Sequence, residues 1–313
     1  MEKEKSLPNQ NVEKTILFVS DIDRTLIYPQ RFARKGDVCI EWSEDGKELS
    51  YANPDNLEDL IKLSKLTKLV LVTARTEEQY KRIKWPEELE IHSVILNLGN
   101  DLLFSQEINP QEWNEKTDNS MKEHLEDLKN ASKWLSEQEF VERCSIRNDR
   151  FTFARFNDKW NANEKRTLQD KLKSDFNCNC DLMGERLYLT VPGHDKGTAV
   201  SRLAKYLNPE VIMVAGDDKP DVPMLLHASC AIVDTELLWY GIVNAYAAVG
   251  RTDDFVIYCY DRSEGFSKGN TSNEDFSDEP NHVVEFVDYV HSKALECVEE
   301  RLEEISQVHT HPM

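Results

Sequence analysis

The chain has 313 residues, 40% of them hydrophobic, which is enough apolar material for two modest domains with real cores. Its formal net charge of −20 argues against nucleic-acid and anionic-membrane binding, both of which call for a basic surface. No apolar run reaches the length of a membrane span and Met1-Glu2-Lys3-Glu4-Lys5 lacks an apolar signal region, so a cytoplasmic protein is expected.

The first predicted element is a strand, Ile16-Leu17-Phe18-Val19, running into Ser20-Asp21-Ile22-Asp23-Arg24-Thr25. Four consecutive apolar residues read as a strand covered on both faces, and such strands deliver the next few residues to the carboxyl edge of an α/β sheet, where ligands bind. Asp21 and Asp23 repel unless a cation sits between them or one keeps a proton. The pair therefore points to a hard divalent metal, a nucleophile beside an acid/base group, or both. The plainer alternative is an Asp-rich turn in which one acid caps the next helix.

A second strand, Leu69-Val70-Leu71-Val72, ends in Thr73-Ala74-Arg75. Helix capping is the plainer role for Thr73, and surface pairing for Arg75. The interval from there to Lys196 is far too long for a βα loop, so something folded is inserted. Within it Met121, Leu125, Leu128 and Leu135 recur near helical spacing, and Cys144 to Phe156 reads as strands turning at Asn148-Asp149, with Phe151 and Phe153 on one face. Leu168, Leu172 and Phe176 mark a second helix, and Asp181 to Val191 a second hairpin turning at Gly184-Glu185.

Val191-Pro192-Gly193-His194-Asp195-Lys196-Gly197 then brings a lysine to the start of a predicted helix, with a solvated lysine as the plainer reading. Val211-Ile212-Met213-Val214-Ala215 is a further strand, ending in Gly216-Asp217-Asp218-Lys219-Pro220-Asp221. Glu264 to Pro280 reads as an acidic mobile loop. Val283, Val287, Val290, Ala294, Val298, Leu302 and Ile305 mark a C-terminal amphipathic helix over about 282–308, either packed on the core or used as a homodimer contact.

In this order the segments resemble the haloacid dehalogenase-like (HAD) phosphatase superfamily, whose motifs are Asp-x-Asp-x-Thr, a Ser/Thr after a strand, a Lys, and Gly-Asp-x-x-x-Asp. The resemblance implies an α/β, Rossmann-like core with a mainly parallel central sheet over residues 12–104 and 192–313. It also implies an inserted α/β C2-type cap over 105–191, as in the IIB group of sucrose-phosphate, trehalose-phosphate, mannosylglycerate-phosphate and Cof-type phosphatases. Arg186-Leu187-Tyr188-Leu189-Thr190-Val191-Pro192 running into Asp195-Lys196-Gly197 is the local sequence most similar to that group.

On this resemblance Asp21 is the nucleophile that forms an aspartyl-phosphate, and Asp23 protonates the leaving oxygen and then deprotonates water. Mg²⁺ falls to the carboxylates of Asp21 and Asp217 and the backbone carbonyl of Asp23, with Asp221 behind them or as an outer metal contact. Thr73 donates to a phosphoryl oxygen, Lys196 neutralises nucleophile and phosphate, and Arg75 helps hold the site. Two departures stand out. Pro220 replaces an Asn common in relatives, and Asn97-Leu98-Gly99-Asn100 only approximates their Asn-Gly-Gly turn.

The expected activity is Mg²⁺-dependent hydrolysis of a small phosphorylated metabolite, a sugar phosphate first. A phosphomutase and a catalytically weak binding protein are the alternatives. Arg147, Arg150 and Arg155 are candidates for touching the substrate, against a solvated role on an exposed strand face. The seven cysteines form no disulfide or zinc framework and are expected as thiols, and the eight histidines show no His-x-x-x-His spacing.

Overall fold

The computed structural model describes residues 16–234, 256–260 and 280–310. β1 (Ile16–Ser20) is buried along its whole length. A small sheet comes next, made of β2 (Tyr28–Pro29), β3 (Val38–Trp42) and β4 (Glu48–Ala52) in the order β2-β4-β3. The chain continues through α1 (Pro54–Leu66), β5 (Lys68–Val72), α2 (Glu77–Lys81), β6 (Ile91–Leu96) and β7 (Asp101–Ser105). α1 starts where it does because the Asn53 side chain accepts from the Asp55 amide, while Pro54 occupies a first-turn position that needs no amide.

The segment between β7 and the next core helix comprises α3 (Pro110–Met121), whose Trp113 packs with the central sheet, and then α4 (Leu125–Ser136), β8 (Val141–Arg147), β9 (Phe151–Phe156), α5 (Lys165–Phe176), β10 (Asn179–Met183) and β11 (Arg186–Thr190). Its four strands form one antiparallel sheet in the order β10-β11-β9-β8. Asn148 and Asp149 turn the first hairpin with φ of 48° and 56°, the left-handed region that these two side chains tolerate best. Met121 and Leu125 belong to two helices where the spacing predicts one. The first helix closes with the Lys122 amide on Asp118 O, and the His124 amide turns back to Met121 O before α4 begins.

α6 (Lys196–Leu207), β12 (Val211–Gly216), α7 (Val222–Leu225), β13 (Cys230–Val233) and β14 (Val256–Cys259) complete the central sheet, whose order is β14-β13-β12-β1-β5-β6-β7. Every neighbouring pair is parallel except β6 with β7. Alternate residues of one strand feed two cores, as a sheet covered on both faces requires. Ile16 and Phe18 pack with Leu57, Leu60 and Leu63 of α1, whereas Leu17 and Val19 pack with Val200 and Leu203 of α6 and Trp113 of α3.

The C-terminal helix spans Pro280–Thr310 and lies on the core. Phe286, Val290, Ala294 and Val298 join the α1 side of the sheet, and Val283, Val284 and Val287 cover Tyr28 and Phe32. Full burial of each of these valine and phenylalanine side chains contributes about 1.5–3 kcal/mol. The predicted acidic loop from Glu264 lies outside the described residues up to Pro280, where this helix begins. No helix among the described residues is long and apolar enough to cross a membrane, and the seven cysteines are free thiols.

Candidate active site

Asp21 is the first residue beyond β1, and its amide donates to Ala215 O at 3.1 Å, so the main chain fixes it against β12. The chain then doubles back, with the Leu26 and Ile27 amides donating to Ile22 O. Within this turn Arg24 adopts φ 65°, a left-handed conformation that costs a non-glycine residue roughly 1–2 kcal/mol. The turn lays the buried Arg24 guanidinium beside Asp217, with Nε 3.4 Å from Oδ2, and Thr25 Oγ1 donates to Asp217 Oδ1 at 3.4 Å.

Lys196 is the first residue of α6, a helix capped by Asp195, whose side chain accepts from the Thr198 amide. Its Nζ donates to Asp21 Oδ1 and to Asp221 Oδ1, each at 2.6 Å, and the side chain is only 3% exposed. Asp221 accepts on its other oxygen from the Asp217 and Asp218 amides, both at 3.1 Å. Because main-chain donors hold Asp221, Pro220 takes nothing from that hold. It sits at the start of a short turn capped by Asp218, where an amide would have no partner. Gly216 makes the fold-back possible, since a Cβ there would lie 2.6 Å from the Asp221 Cβ.

Asp21, Asp217 and Asp221 each offer a carboxylate oxygen within 4.8 Å of the others. Burial pushes the Asp21 carboxyl up to about 7 against the pull of Lys196, and drives Asp217 well above the carboxylate range against the pull of Arg24. Such a cluster is short of positive charge. Three close carboxylates of this kind fit a hard divalent cation, which binds oxygen ligands and would supply that charge. Asp221 is held closely on both oxygens, at 2.6 Å by Lys196 and 3.1 Å by the two amides. Asp217 is met more loosely, at 3.4 Å by Arg24 and Thr25, and Asp21 meets Lys196 through one oxygen, so Asp21 and Asp217 are the carboxylates better placed to ligate.

Thr73 lies just beyond β5, the neighbour of β1 on the side away from β12. It is 1% exposed and does not cap α2; Thr76 does, in a capping box with Gln79. Its hydroxyl oxygen accepts from the Arg75 amide at 3.2 Å, which leaves the hydroxyl proton to donate elsewhere. The Leu98 amide donates to Thr73 O, an approach for which Leu98 takes φ 58°.

Asp23 is turned away from the cluster toward Arg75. Arg75 Nε donates to Asp23 Oδ2 and Nη2 to Asp23 Oδ1, both at 2.7 Å, a two-pronged pair. Burial acts to raise the Asp23 carboxyl, but the Arg75 guanidinium outweighs it and holds the group below the usual carboxylate range. Arg75 also donates to Gln79 O and to Glu41, a buried acid of the small sheet. The sequence alone did not point to Arg24 or Glu41. Only the position of Arg24 inside the Asp-x-Asp-x-Thr motif could have singled it out.

The insertion sheet presents one face to its own helices and the other toward this site. Leu187 and Leu189 are fully buried in the core of the insertion, so Arg186 and Tyr188 point the opposite way. Tyr188 stacks on Phe151 and packs edge-on against Phe153, and it lies within the electrostatic reach of Asp218, Asp23 and Lys196. Burial pushes Asp181 on the neighbouring strand up to about 6, opposed by Lys219. Lys219 Nζ in turn donates to Leu182 O at 3.1 Å and ties the motif turn to the insertion. Of the three arginines considered for substrate contact, Arg150 pairs with Asp101 and Asp118, and Arg155 pairs with Glu142 and Glu185 at the surface.

A family model described as haloacid dehalogenase-like hydrolase matches residues 50–233. Among solved structures the chain is similar to the sucrose-phosphatase from Synechocystis sp. PCC6803 in complex with sucrose and phosphate. Identity is 15% and the TM-score 0.53, and the match covers 79% of this chain and 92% of that one. It is also similar to the C-terminal domain of trehalose-6-phosphate phosphatase from C. albicans, at 14% identity and a TM-score of 0.46, covering 89% and 93%. No curated protein matches the chain.

Proposed function

This chain belongs to the haloacid dehalogenase-like hydrolases, and from that premise we propose that it is a Mg²⁺-dependent phosphatase of a small phosphorylated metabolite, with a sugar phosphate as the leading substrate class. The observation that carries this reading is the placement of Asp21. Its carboxylate stands at the open end of the central strand, 2.6 Å from Lys196, with Asp217 and Asp221 beside it.

Asp21 is the nucleophile: its oxygen forms a bond to phosphorus as the bond to the leaving oxygen breaks, giving an aspartyl-phosphate. Paired with Arg75, Asp23 is an ionised carboxylate, the form that in the second step takes a proton from the attacking water as phosphate is released and Asp21 restored. It protonates the leaving oxygen in the first step once it has turned from Arg75 and gained a proton. Thr73 donates its hydroxyl proton to a phosphoryl oxygen, and Lys196 offsets the negative charge of nucleophile and phosphoryl group. Asp221 keeps Lys196 aimed. Mg²⁺ held by Asp21 and Asp217 would neutralise charge that develops on the transferring phosphoryl oxygens.

The sugar-phosphate reading draws support from the insertion. Aromatic rings at Tyr188 and Phe153, backed by the buried Phe151 and with Arg186 and Asp181 alongside, offer apolar faces for ring C–H groups and polar partners for hydroxyls. The test is phosphate release from sugar phosphates, nucleotides and an aryl phosphate, with and without Mg²⁺, for the native chain and Asp21→Asn. Metal-dependent release that falls by about a thousandfold or more in the variant is expected. Absence of release from every substrate would sink the phosphatase reading.

A further inference from the structure

We infer that Glu41 is a positioning residue for the reaction, acting on Asp23 through Arg75; the inference rests on the phosphatase reading above. Glu41 lies on β3 where the pairing with β4 slips on both sides of it, a bulge of the kind that re-aims a side chain. It is turned inward and is 2% exposed. Oε2 accepts from Arg75 Nη2 at 2.9 Å and from Ser50 Oγ at 2.6 Å, and Oε1 lies 3.0 Å from Arg82 Nη2 and accepts from Arg82 Nε at 3.1 Å.

A buried carboxylate between two arginines is costly to build, and here it fixes one guanidinium from the far side. Arg75 is thereby held by Asp23, Glu41 and Gln79 O. With its nitrogens so engaged, Arg75 is a fixed fork that sets where the Asp23 carboxylate stands. Glu41 keeps that fork in place when Asp23 turns to the leaving oxygen, because Arg75 then still has a carboxylate partner.

Proton donation matters for a poor leaving group and hardly at all for a good one, so leaving-group dependence separates positioning of Asp23 from general loss of structure. Glu41→Gln is expected to lower kcat on a simple alkyl phosphate by about tenfold or more, while kcat on 4-nitrophenyl phosphate stays within about threefold. Arg82→Gln, whose native side chain is 32% exposed, is the gentler variant and is expected to show the same selectivity at smaller size. An equal fall on both substrates, or no fall on either, overturns the inference.

A second readout needs no turnover. The Arg75 Nε–H proton, held on Asp23, is expected to exchange slowly in NMR spectra of the native chain and of Asp21→Asn, and quickly in Glu41→Gln. Slow exchange retained in Glu41→Gln overturns the positioning role. Failure of the native chain to release phosphate from these two and from every substrate of the panel above would instead overturn the phosphatase reading and leave this measurement to decide the part played by Glu41.

Discussion

Gly216 shows how little freedom the site leaves at single positions. The carboxylate of Asp221 folds back over the end of β12 so closely that an added methyl would meet its Cβ at 2.6 Å and its Cγ at 2.8 Å. Gly216→Ala should therefore displace Asp221, lower unfolding free energy by about 2 kcal/mol in urea titration, and cut phosphate release by about tenfold as Lys196 loses its second partner. A variant with native stability and turnover would refute this reading of the contact. The segments that converge here were legible in the sequence because Asp21, Thr73 and Asp217 each come after an apolar strand, and a buried strand has one obvious place to put polar residues. Arg24 and Glu41 carried no such signal. The first stands where the backbone takes a left-handed turn that an arginine does not advertise, and the second sits inside Val-Cys-Ile-Glu-Trp, whose alternation gives no hint of a bulge.

At the level of elements, one of the groups that joins α3 to the segment before α6 is a neutral histidine. His194, just before α6, places Nδ1 2.8 Å from Asn100 Oδ1 and Nε2 3.1 Å from Ser120 Oγ on α3. Burial, together with the charges of His124, Arg150 and Arg202, pushes it down to about 4. The unfolded chain, with the histidine near 6.5, binds the proton first, so the stability that His194 contributes is present above about pH 6.5 and is lost as pH falls toward 4. Unfolding free energy measured at pH 7 and pH 4.5 should drop by on the order of 3 kcal/mol more in the native chain than in His194→Gln. Identical drops would remove His194 as the cause. Several of these elements were readable beforehand for plain reasons: Asn148-Asp149 suits a left-handed turn, and the valine stripe of the last helix repeats every three or four residues. The small sheet was not, since β2 is two residues long and its partners mix exposed and buried positions without a clean period.

For the molecule as a whole, a charge of −20 opposes compaction and is screened by salt. Raising monovalent salt from roughly 0.02 to 0.3 M should lift the melting temperature by a few degrees in the native chain and in Asp217→Asn alike. Mg²⁺ at about a hundredfold excess over its Kd should add about 2–3 kcal/mol to the native chain and far less to Asp217→Asn. Equal effects of Mg²⁺ on both would mean that the cation acts only as a screening ion. The strand order has a further outcome, for the time before the molecule is whole. β1 has β5 on one side and β12 on the other, and Asp21 meets a lysine 175 positions away. During synthesis one edge of that apolar strand must wait, unpaired, until β12 has emerged, and an exposed edge of this kind invites pairing with other chains. The sheet of the insertion joins two local hairpins through the nearer pairing of β9 with β11, so its wait is far shorter. A nascent chain halted before Val211 is thus expected to hold a formed insertion beside an unclosed sheet, and Asp21 and Asp217 come together only as β12 pairs with β1.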